Sequence, residues 1–295
     1  MQSNEIQITT GENLIQRANL ESDNNTIDYE TSKNLTYADI ISIHKGLSLA
    51  CEFYDVNAAI TVTAEGICAV ALGKTITETI NSVIDSNPID FMFSTIILTK
   101  EADSDTVKML KDTHIIVAPK YTKNAKEYLD SHEACYVTIN TPLKDYKQYL
   151  SNEITETPLG KLEQTPNLSE LKKDSFKVET KNKPTVEQVE DAVFAWKIAK
   201  YAKSRAIVIA KDLKTTAIAQ GMLPSSIEYA LDYACEKSKD AILALDNGIS
   251  LHDLNVAAQG RIGLIILPFA SQEIINTAEK LNIIIITTGF TNILY

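Results

Sequence analysis

The chain has 295 residues, of which 44% are hydrophobic and 23% charged, a composition typical of a globular protein with room for about two domains. Its formal net charge is −11, and its basic residues are 25 lysines and only three arginines. This balance predicts that neither nucleic acid nor a membrane is a partner, because binding to phosphate groups needs clustered basic side chains.

Signals for targeting, metal binding and disulfide formation are sparse. No stretch of about eighteen apolar residues occurs, and the first ten residues lack the basic start and apolar segment of a secretory signal peptide. Four cysteines and four histidines lie far apart, without the close pairs that ligate zinc. We therefore predict a cytoplasmic protein with buried, reduced thiols and no metal site.

The first elements in chain order are a loop and a helix. The N-terminal stretch, with Gly11 and a polar run at 20–25, is typical of a loop, whereas helical character begins near Tyr37 and continues to about Phe53. From residue 58 onwards, short β-branched runs alternate with amphipathic stretches, which predicts α/β layering. The predicted strands are Ala59–Thr63, Ile67–Leu72, Thr95–Leu98 and Ile115–Ala118, and the predicted helices are Thr75–Ile84 and Asp105–Lys111.

A connecting segment divides the chain. Residues 142–184 contain several prolines, many charges and few large apolar side chains, which predicts one or two short strands between two larger units. A strong helix follows, capped by Thr185, with Trp196 on its apolar face. The predicted domains are a first half with an N-terminal extension (1–141), the connecting segment (142–184) and a second half (185–295).

The second half repeats the alternation of the first. Residues 58–63 (AAITVT) match 205–210 (RAIVIA), and 115–129 align with 265–281, at a near-constant offset of about 148 residues. We therefore predict an internal duplication. The later predicted strands are Ala206–Ala210, Thr215–Ala219, Ala241–Ala244, Gly263–Leu267 and Ile283–Thr287, and the helices are Ser225–Lys237 and Gln272–Leu281.

Motifs for a specific chemistry are absent: the sequence has no glycine-rich phosphate loop, no GxSxG and no HExxH. Asp246 follows a predicted strand, where α/β sheets often place functional groups, but it equally fits a cap of the following turn. Gly289 either lets a ligand approach the backbone or forms a simple turn. These residues alone indicate a soluble α/β protein and no particular reaction.

One segment resembles a known family. Residues 181–212 (KNKPTVEQVEDAVFAWKIAKYAKSRAIVIAKD) closely resemble the KPT turn, FAWKVAK helix and following strand of the aminoimidazole carboxamide ribonucleotide (AICAR) transformylase domain of the bifunctional purine-biosynthesis enzyme. The similarity extends along nearly the whole chain. Matching positions occur at Gly11-Glu12-Asn13 (family GENPHQ), Leu35-Thr36-Tyr37 (LSYNN), Cys68 to Gly73 (CGVAxG) and Thr288-Gly289 (FTG).

The resemblance implies a fold and an assembly. It identifies the chain as a diverged standalone homologue that lacks the cyclohydrolase domain. The family's transformylase region contains two cytidine-deaminase-like halves, which implies three-layer α/β/α halves here and agrees with the predicted duplication. Since the family's active sites form at a homodimer interface, the resemblance implies a homodimer, or association with a catalytically complete relative.

The resemblance also locates the family's catalytic positions. The family transfers a formyl group from formyl-tetrahydrofolate to the amine of AICAR, using an adjacent Lys-His pair and an Asn. In this sequence the pair aligns with Thr63 and Ala64, and the Asn aligns with Arg205. Ala64 carries no titratable group and the Thr63 hydroxyl does not ionise at pH 7, so we expect no catalytic residue there.

Other family motifs are altered too. The family's SAFGG is replaced by Asp90-Phe91-Met92-Phe93-Ser94, its GAGQMSR by residues 219–225, and its basic C-terminus by 291–295. Bulky side chains thus stand where glycines would let the backbone approach a ligand. A pocket filled by Phe91, Met92, Phe93 and Leu223 would argue against an enzyme, whereas an open polar cleft containing Asp246 and lysines would favour one.

Two hypotheses follow. The first is a transformylase-like protein of purine biosynthesis that has lost formyl transfer and acts as a binding, regulatory or partner subunit. The second is a standalone AICAR formyltransferase, or a related folate- or nucleotide-dependent transferase, that uses Glu65, Lys181, Lys183 and Asp246, with formyl-tetrahydrofolate as the cofactor if the family's activity is retained. The candidate ligand-binding residues are Gly11, Glu12, Asn13, Tyr37, Lys181, Lys183, Asp246 and Gly289.

Overall fold

The protein is a mixed α/β structure built on one large sheet. The computed structural model describes residues 4–8, 10–23, 25–171, 176–221 and 226–294. Within these ranges, twelve strands form a single mixed sheet, and two further hairpins stand apart from it. Helices cover both faces of the large sheet. No helix in the described ranges is both long and apolar enough to cross a membrane.

The elements have the following bounds. The strands are β1 Asn4–Ile8, β2 Ala18–Ser22, β3 Tyr29–Thr31, β4 Asn57–Val62, β5 Ile67–Gly73, β6 Thr95–Leu98, β7 Ile115–Ala118, β8 Tyr136–Ile139, β9 Glu153–Thr157, β10 Gly160–Gln164, β11 Lys177–Val178, β12 Ile207–Lys211, β13 Lys214–Ala219, β14 Ile242–Leu245, β15 Leu264–Leu267 and β16 Ile284–Thr287. The helices are α1 Tyr37–Ala50, α2 Ile76–Ser86, α3 Pro88–Phe91, α4 Ser104–Met109, α5 Lys123–Ser131, α6 Val186–Ala199, α7 Ser226–Ala234, α8 Leu251–Gln259 and α9 Gln272–Lys280. Short 3₁₀ turns cover Cys51–Phe53, Leu143–Tyr149 and Cys235–Ser238.

The strand order of the large sheet is β11-β16-β15-β14-β12-β13-β5-β4-β6-β7-β8-β3. The antiparallel hairpins β4–β5 and β12–β13 meet at the centre, where Lys214 of β13 pairs with Ala71 of β5. Outside each hairpin, three strands run parallel to one another, β6 to β8 on one side and β14 to β16 on the other. From the centre outwards, the two sides of the sheet therefore have the same sequence of antiparallel and parallel strand pairings.

The core lies on both faces of the sheet. On one face α1 and α6 pack over strand residues such as Ile60 and Val208, with Trp196 fully buried among them. On the other face α2, α4 and α5 cover one side of the sheet, and α7 to α9 cover the other. Strands β6, β7, β14 and β15 are buried along their whole length, which explains their unbroken apolar sequences.

Most of the predicted strands and helices are confirmed. The N-terminal stretch was expected to be a loop, which is wrong because it contains β1, β2 and β3. Strand β8 and helix α8 were not predicted. The predicted cap at Thr185 is confirmed, because its hydroxyl accepts a hydrogen bond from the amide of Gln188.

The cysteines are all free thiols, but they are not uniformly buried as expected. Cys51 is buried, Cys68 and Cys135 are partly buried, and Cys235 is exposed. Burial raises the pKa of Cys51 to about 11 and that of Cys68 to about 12, so both are protonated near neutral pH. Neither thiol is therefore poised as a nucleophile.

Candidate functional site

One edge of the sheet brings together three positions that were predicted to be functionally important. Strand β14 runs in the same direction as β4 and opposite to β12, as the antiparallel pairings between them require. The ends of β4 and β14 and the start of β12 therefore share one edge. Thr63 follows β4, Arg205 precedes β12 and Asp246 follows β14, so all three lie at this edge, called here the β14 edge.

The turn after β4 is held by groups from α1 and the end of β13. The Lys45 ammonium donates a hydrogen bond to the carbonyl oxygen of Ala64. Gly66 lies against the side chain of Gln220, and a Cβ at this position would come within 2.3 Å of it. Gln220 in turn donates a hydrogen bond to the Ile67 carbonyl at 2.8 Å. The turn therefore has a defined position, and a side chain at residue 66 would have to displace the end of Gln220.

The charges near this turn are two lysines and one carboxylate. Burial and the nearby Lys203 ammonium lower the pKa of Lys45, against an opposing effect of Glu65. A hydrogen bond with the Thr63 hydroxyl lowers the pKa of Glu65, with smaller contributions from both lysines. The turn therefore presents excess positive charge, and its exposed carboxylate is a weak base.

Asp246 lies in a buried polar cluster at the same edge. Its side chain is 1% exposed, and its Oδ2 accepts a hydrogen bond from the Ser204 hydroxyl. The Ser204 hydroxyl accepts from the amide of Leu294 at 3.0 Å, and the Ser204 amide donates to the Leu294 carbonyl at 2.8 Å. The C-terminal segment is thus bound directly over this carboxylate.

Burial raises the pKa of Asp246, although Ser204 and the nearby Arg205 charge oppose the shift. Its Oδ1 is buried and has no hydrogen-bond partner among the described residues. An ionised carboxylate with an unpaired oxygen is costly in a buried position, which is the physical cause of the raised pKa.

The raised pKa of Asp246 predicts how stability depends on pH. A native pKa above the unfolded value means that stability is lost as pH rises through the native pKa. The variant Asp246→Asn cannot ionise, so its unfolding free energy relative to the unmodified chain is expected to increase from pH 4 to pH 7. Urea denaturation at several pH values measures this difference. The exposed-residue control Asp112→Asn should show no such increase, and a constant difference for Asp246→Asn would contradict the expectation.

The edge is a row of positions, not one compact cluster. Four strand spacings separate β4 from β14, which is about 19 Å at ~4.8 Å per spacing. Thr63 and Ala64 therefore do not contact Asp246. Lys203 and Gln220 lie between them, and the amide of Lys203 donates to the Gln220 side chain at 3.3 Å.

Lys181 and Lys183 lie at the opposite edge of the sheet. Lys181 contacts Glu279 of α9, with its ammonium 3.4 Å from the carboxylate and its amide donating at 3.1 Å. The Lys183 ammonium donates to the Thr180 carbonyl at 3.1 Å. Helix α9 leads into the start of β16, whereas Asp246 follows the end of the parallel β14. Within one chain, these lysines and Asp246 therefore do not form a common site.

The remaining candidates are also dispersed. Gly11 and Asn13 form hydrogen bonds with Gln16, while Glu12 is exposed in the same turn. Tyr37 begins α1, whose Asp39 contacts His114 before β7, so Tyr37 lies at the β14 edge, but on the far side of β4 from Asp246. Gly289 follows β16 at this edge with φ +78°, and an added Cβ would meet no atom within 4 Å.

The side chains of Phe91, Met92 and Phe93, which follow α2, differ in burial. Phe91 is 6% exposed and belongs to the core, whereas Met92 is 52% and Phe93 73% exposed. Within one chain these side chains do not fill a common pocket, and whether they do so at a dimer interface stays a test that separates the two hypotheses. Leu223, with the rest of 222–225, lies outside the described residues. Within the described ranges, no group of three or more Cys, His, Asp or Glu side chains is placed to hold a metal ion.

Sequence reasoning missed the residues that organise this edge. Lys45, Lys203 and Gln220 come from three separate segments, and no motif assigned them a role, although Lys203 and Gln220 lie within the stretches 181–212 and 219–225 that align with the family. They meet because β13 and β4 run in the same direction and end at the same edge. No local pattern could have identified them.

Comparison with known proteins identifies the family. Residues 2–236 match the family described as AICARFT/IMPCHase bienzyme. The bifunctional purine biosynthesis protein PurH of Cyanothece sp. is 29% identical over 271 residues, which is 89% of this chain and 52% of the relative. PurH of Halalkalibacterium halodurans is 29% identical over 265 residues (87% and 51%), and that of Caldicellulosiruptor saccharolyticus is 31% identical over 268 residues (87% and 51%).

The chain spans about half the length of the curated relatives it matches. Among solved structures, Acinetobacter baumannii RibD matches 32% of this chain with a TM-score of 0.24 and 12% identity, a similarity too low to support a conclusion. The family match, by contrast, covers most of the chain. The chain belongs to the AICARFT/IMPCHase bienzyme family.

Proposed function

We propose that this chain has lost the formyl transfer of its family and acts as a binding, regulatory or partner subunit in purine biosynthesis. The observation that carries this proposal is the turn after β4. Thr63 and Ala64 occupy the positions of the family's Lys-His pair, and the Ala64 carbonyl accepts a hydrogen bond from Lys45. Neither side chain provides a proton acceptor near neutral pH.

The neighbouring groups do not replace the missing base. Glu65 is exposed, and its lowered pKa makes it a weak proton acceptor. Asp246 is 1% exposed and lies about four strand spacings away. Arg205, at the position of the family's Asn, is exposed and carries a permanent charge. This set suits the binding of an anion better than proton transfer.

We also propose that the two sides of the sheet arose by internal duplication into cytidine-deaminase-like halves. The supporting observation is the spacing of equivalent elements: α1 and α6 start 149 residues apart, β6 and β14 147, and β8 and β16 148. A local contact is repeated as well. The amide of Thr99 donates to Ala58, and that of Asp246 donates to Ala206. The proposed boundaries remain 1–141, 142–184 and 185–295.

A homodimer is part of the proposal. Lys181 and Lys183 can join the β14 edge only across a subunit boundary, because they lie at the opposite edge of their own chain. Exposed apolar side chains near α3 are available for such a contact: Ile89 is 71% and Phe93 73% exposed. A pair with a catalytically complete relative would use the same surfaces, and we place either assembly in the cytoplasm.

Sedimentation equilibrium tests the homodimer. The expected mass is twice that of one chain, with dissociation on dilution, because the exposed apolar side chains would be buried on association. The variant Phe93→Asp is expected to shift the equilibrium towards monomer, whereas Tyr54→Asp, an exposed aromatic residue at the opposite edge, serves as the matched control. A monomer at all concentrations would contradict the proposed assembly.

The second candidate function is a standalone formyltransferase, or a related folate- or nucleotide-dependent transferase. The observation that favours it is the lowered pKa of Lys45, whose ammonium lies at the backbone of Ala64. A lysine with a lowered pKa is a better proton acceptor near neutral pH. In this alternative, formyl-tetrahydrofolate is the formyl donor. The candidate site residues are then Lys45 together with Glu65, Lys181, Lys183 and Asp246.

The two functions are separated by an assay of formyl transfer from formyl-tetrahydrofolate to AICAR. Loss of the activity is expected if the chain is a binding or partner subunit. Turnover comparable to that of a complete PurH, abolished by Arg205→Ala, would instead establish the transferase.

A further inference from the structure

A cleft of about 710 Å³ lies beside the β14 edge, on the face covered by α1 and α6. Its walls come from α1, the residues after α6, the connecting segment and the C-terminal segment. Its volume lies in the range of small-molecule sites, roughly 300–1,000 Å³. The cleft is distinct from the turn at Thr63 and Ala64, which does not line it, although Lys45 touches both.

The cleft contains two lysine side chains in an otherwise acidic protein. Lys45 and Lys200 line it, with one carboxylate, Glu153, among the described lining residues. Burial lowers the pKa of His44, which also lines the cleft, so its imidazole adds no positive charge near neutral pH. The Lys200 ammonium is balanced by Glu52 at 3.4 Å. The charge of Glu65 acts on Lys45, but in the described part of the chain no carboxylate lies within ion-pairing distance of the Lys45 ammonium. One of its three N–H donors is used by the Ala64 carbonyl, which leaves two for a ligand.

The rest of the lining suits an apolar ring. Tyr149 and Leu150 of the connecting segment line the cleft, as do Ile293 and Leu294 of the C-terminal segment. Ile293 is 43% exposed, so an apolar surface is open to solvent at the mouth of the cleft. Burying such a surface favours binding by about 25 cal/mol per Å² of apolar area.

We propose that this cleft is a binding site for a small organic anion, one that carries a carboxylate on an apolar ring. The carboxylate pairs with Lys45 and the ring lies between Tyr149 and the C-terminal segment. Partial burial of Lys45 and the nearby Lys203 charge make an incoming anion more favourable, in keeping with the lowered pKa of the ammonium. This site does not depend on whether formyl transfer is lost.

Isothermal titration of the full chain with 1-naphthoate tests the site. Saturable binding at one equivalent per chain is expected. The uncharged analogue 1-naphthalenemethanol should bind at least about tenfold more weakly, since it lacks the charge-assisted hydrogen bond. Inorganic phosphate should show no saturable binding, because it lacks the ring. Absence of naphthoate binding, or equal binding of the uncharged analogue, overturns the proposal.

Two pairs of variants locate the binding. Lys45→Gln is expected to weaken naphthoate at least about tenfold, whereas Lys120→Gln, an exposed lysine at the opposite edge, leaves it unchanged. Ile293→Glu should weaken it through like-charge repulsion, whereas Ile293→Gln, which adds no charge at the same exposed position, should have a smaller effect. Naphthoate binding that is unaltered in both Lys45→Gln and Ile293→Glu overturns the proposal. The formyl-transfer assay is independent of these measurements.

Discussion

The unmodified chain is expected to transfer formyl groups to AICAR at least about 10⁴-fold more slowly than a complete PurH measured alongside it. A missing acid–base group removes roughly 10²–10⁴ of rate and a missing oxyanion donor roughly 10²–10³. Under the proposed loss of formyl transfer, Thr63 and Ala64 lack the first function, and Arg205 takes the place of the family's Asn. Release of tetrahydrofolate at saturating substrates measures the rate.

Two variants show whether any residual rate belongs to this site. Arg205→Ala and Lys45→Gln should leave the background rate unchanged, because neither side chain performs a step if transfer is lost. A rate within about 100-fold of that of the complete enzyme would contradict the proposed loss. The reason is that losing either function alone is expected to lower the rate by at least about 10². A drop on Lys45→Gln alone would identify the neutral amine of Lys45 as the substitute base.

Replacing Glu52 by glutamine is expected to lower the free energy of unfolding by about 3–5 kcal/mol, because the change removes one partner of a buried ion pair. The Glu52 side chain is 8% exposed and contacts Lys147 at 3.1 Å, Lys200 at 3.4 Å and the Tyr201 hydroxyl at 2.8 Å. The Lys200 side chain is only 5% exposed. Without Glu52 its charge is left buried and uncompensated, as denaturant unfolding should show.

Glu170→Gln is the matched control for Glu52→Gln. Glu170 pairs with the same Lys147, at 2.9 Å, but its side chain is 60% exposed. Its loss should cost no more than about 1 kcal/mol, as is usual for exposed ion pairs. Lys200→Met in the Glu52→Gln background should recover part of the lost stability. Equal losses in the two glutamine variants would contradict the role of burial.

The Glu52 cluster also predicts a pH dependence. Burial alone would raise the pKa of Glu52, but Lys200 and Lys147 outweigh this effect and hold it below its usual value. A native pKa below the unfolded value means that the stabilisation is present above the unfolded pKa and lost as pH falls through the native pKa. The difference in stability between the unmodified chain and Glu52→Gln should therefore shrink on acidification.

Local patterns accounted for much of the fold. The apolar runs at β6, β7, β14 and β15 predicted buried strands, because a strand covered on both faces must be apolar at every position. The 3.6-residue pattern and Thr185 located α6 in the same way. Strands β1 and β2 were missed, since hairpins outside the core need no continuous apolar run. The polar cluster around Glu52 could not be predicted from local patterns either, because its partners Lys147 and Tyr201 lie about 95 and 149 positions away in the sequence.

By itself, the sequence determined the α/β class and the family resemblance, and it predicted Thr63, Ala64 and Arg205 at the family's catalytic positions, because these depend on residue identity and short-range periodicity. Only the tertiary structure decided which of these residues share an edge. Asp246 and Arg205 lie together there, whereas Lys181 and Lys183 lie at the opposite edge. The reason is that strand direction, which decides the edge at which a side chain emerges, depends on pairings between residues far apart in the sequence. The cleft beside Lys45 follows from the same pairings.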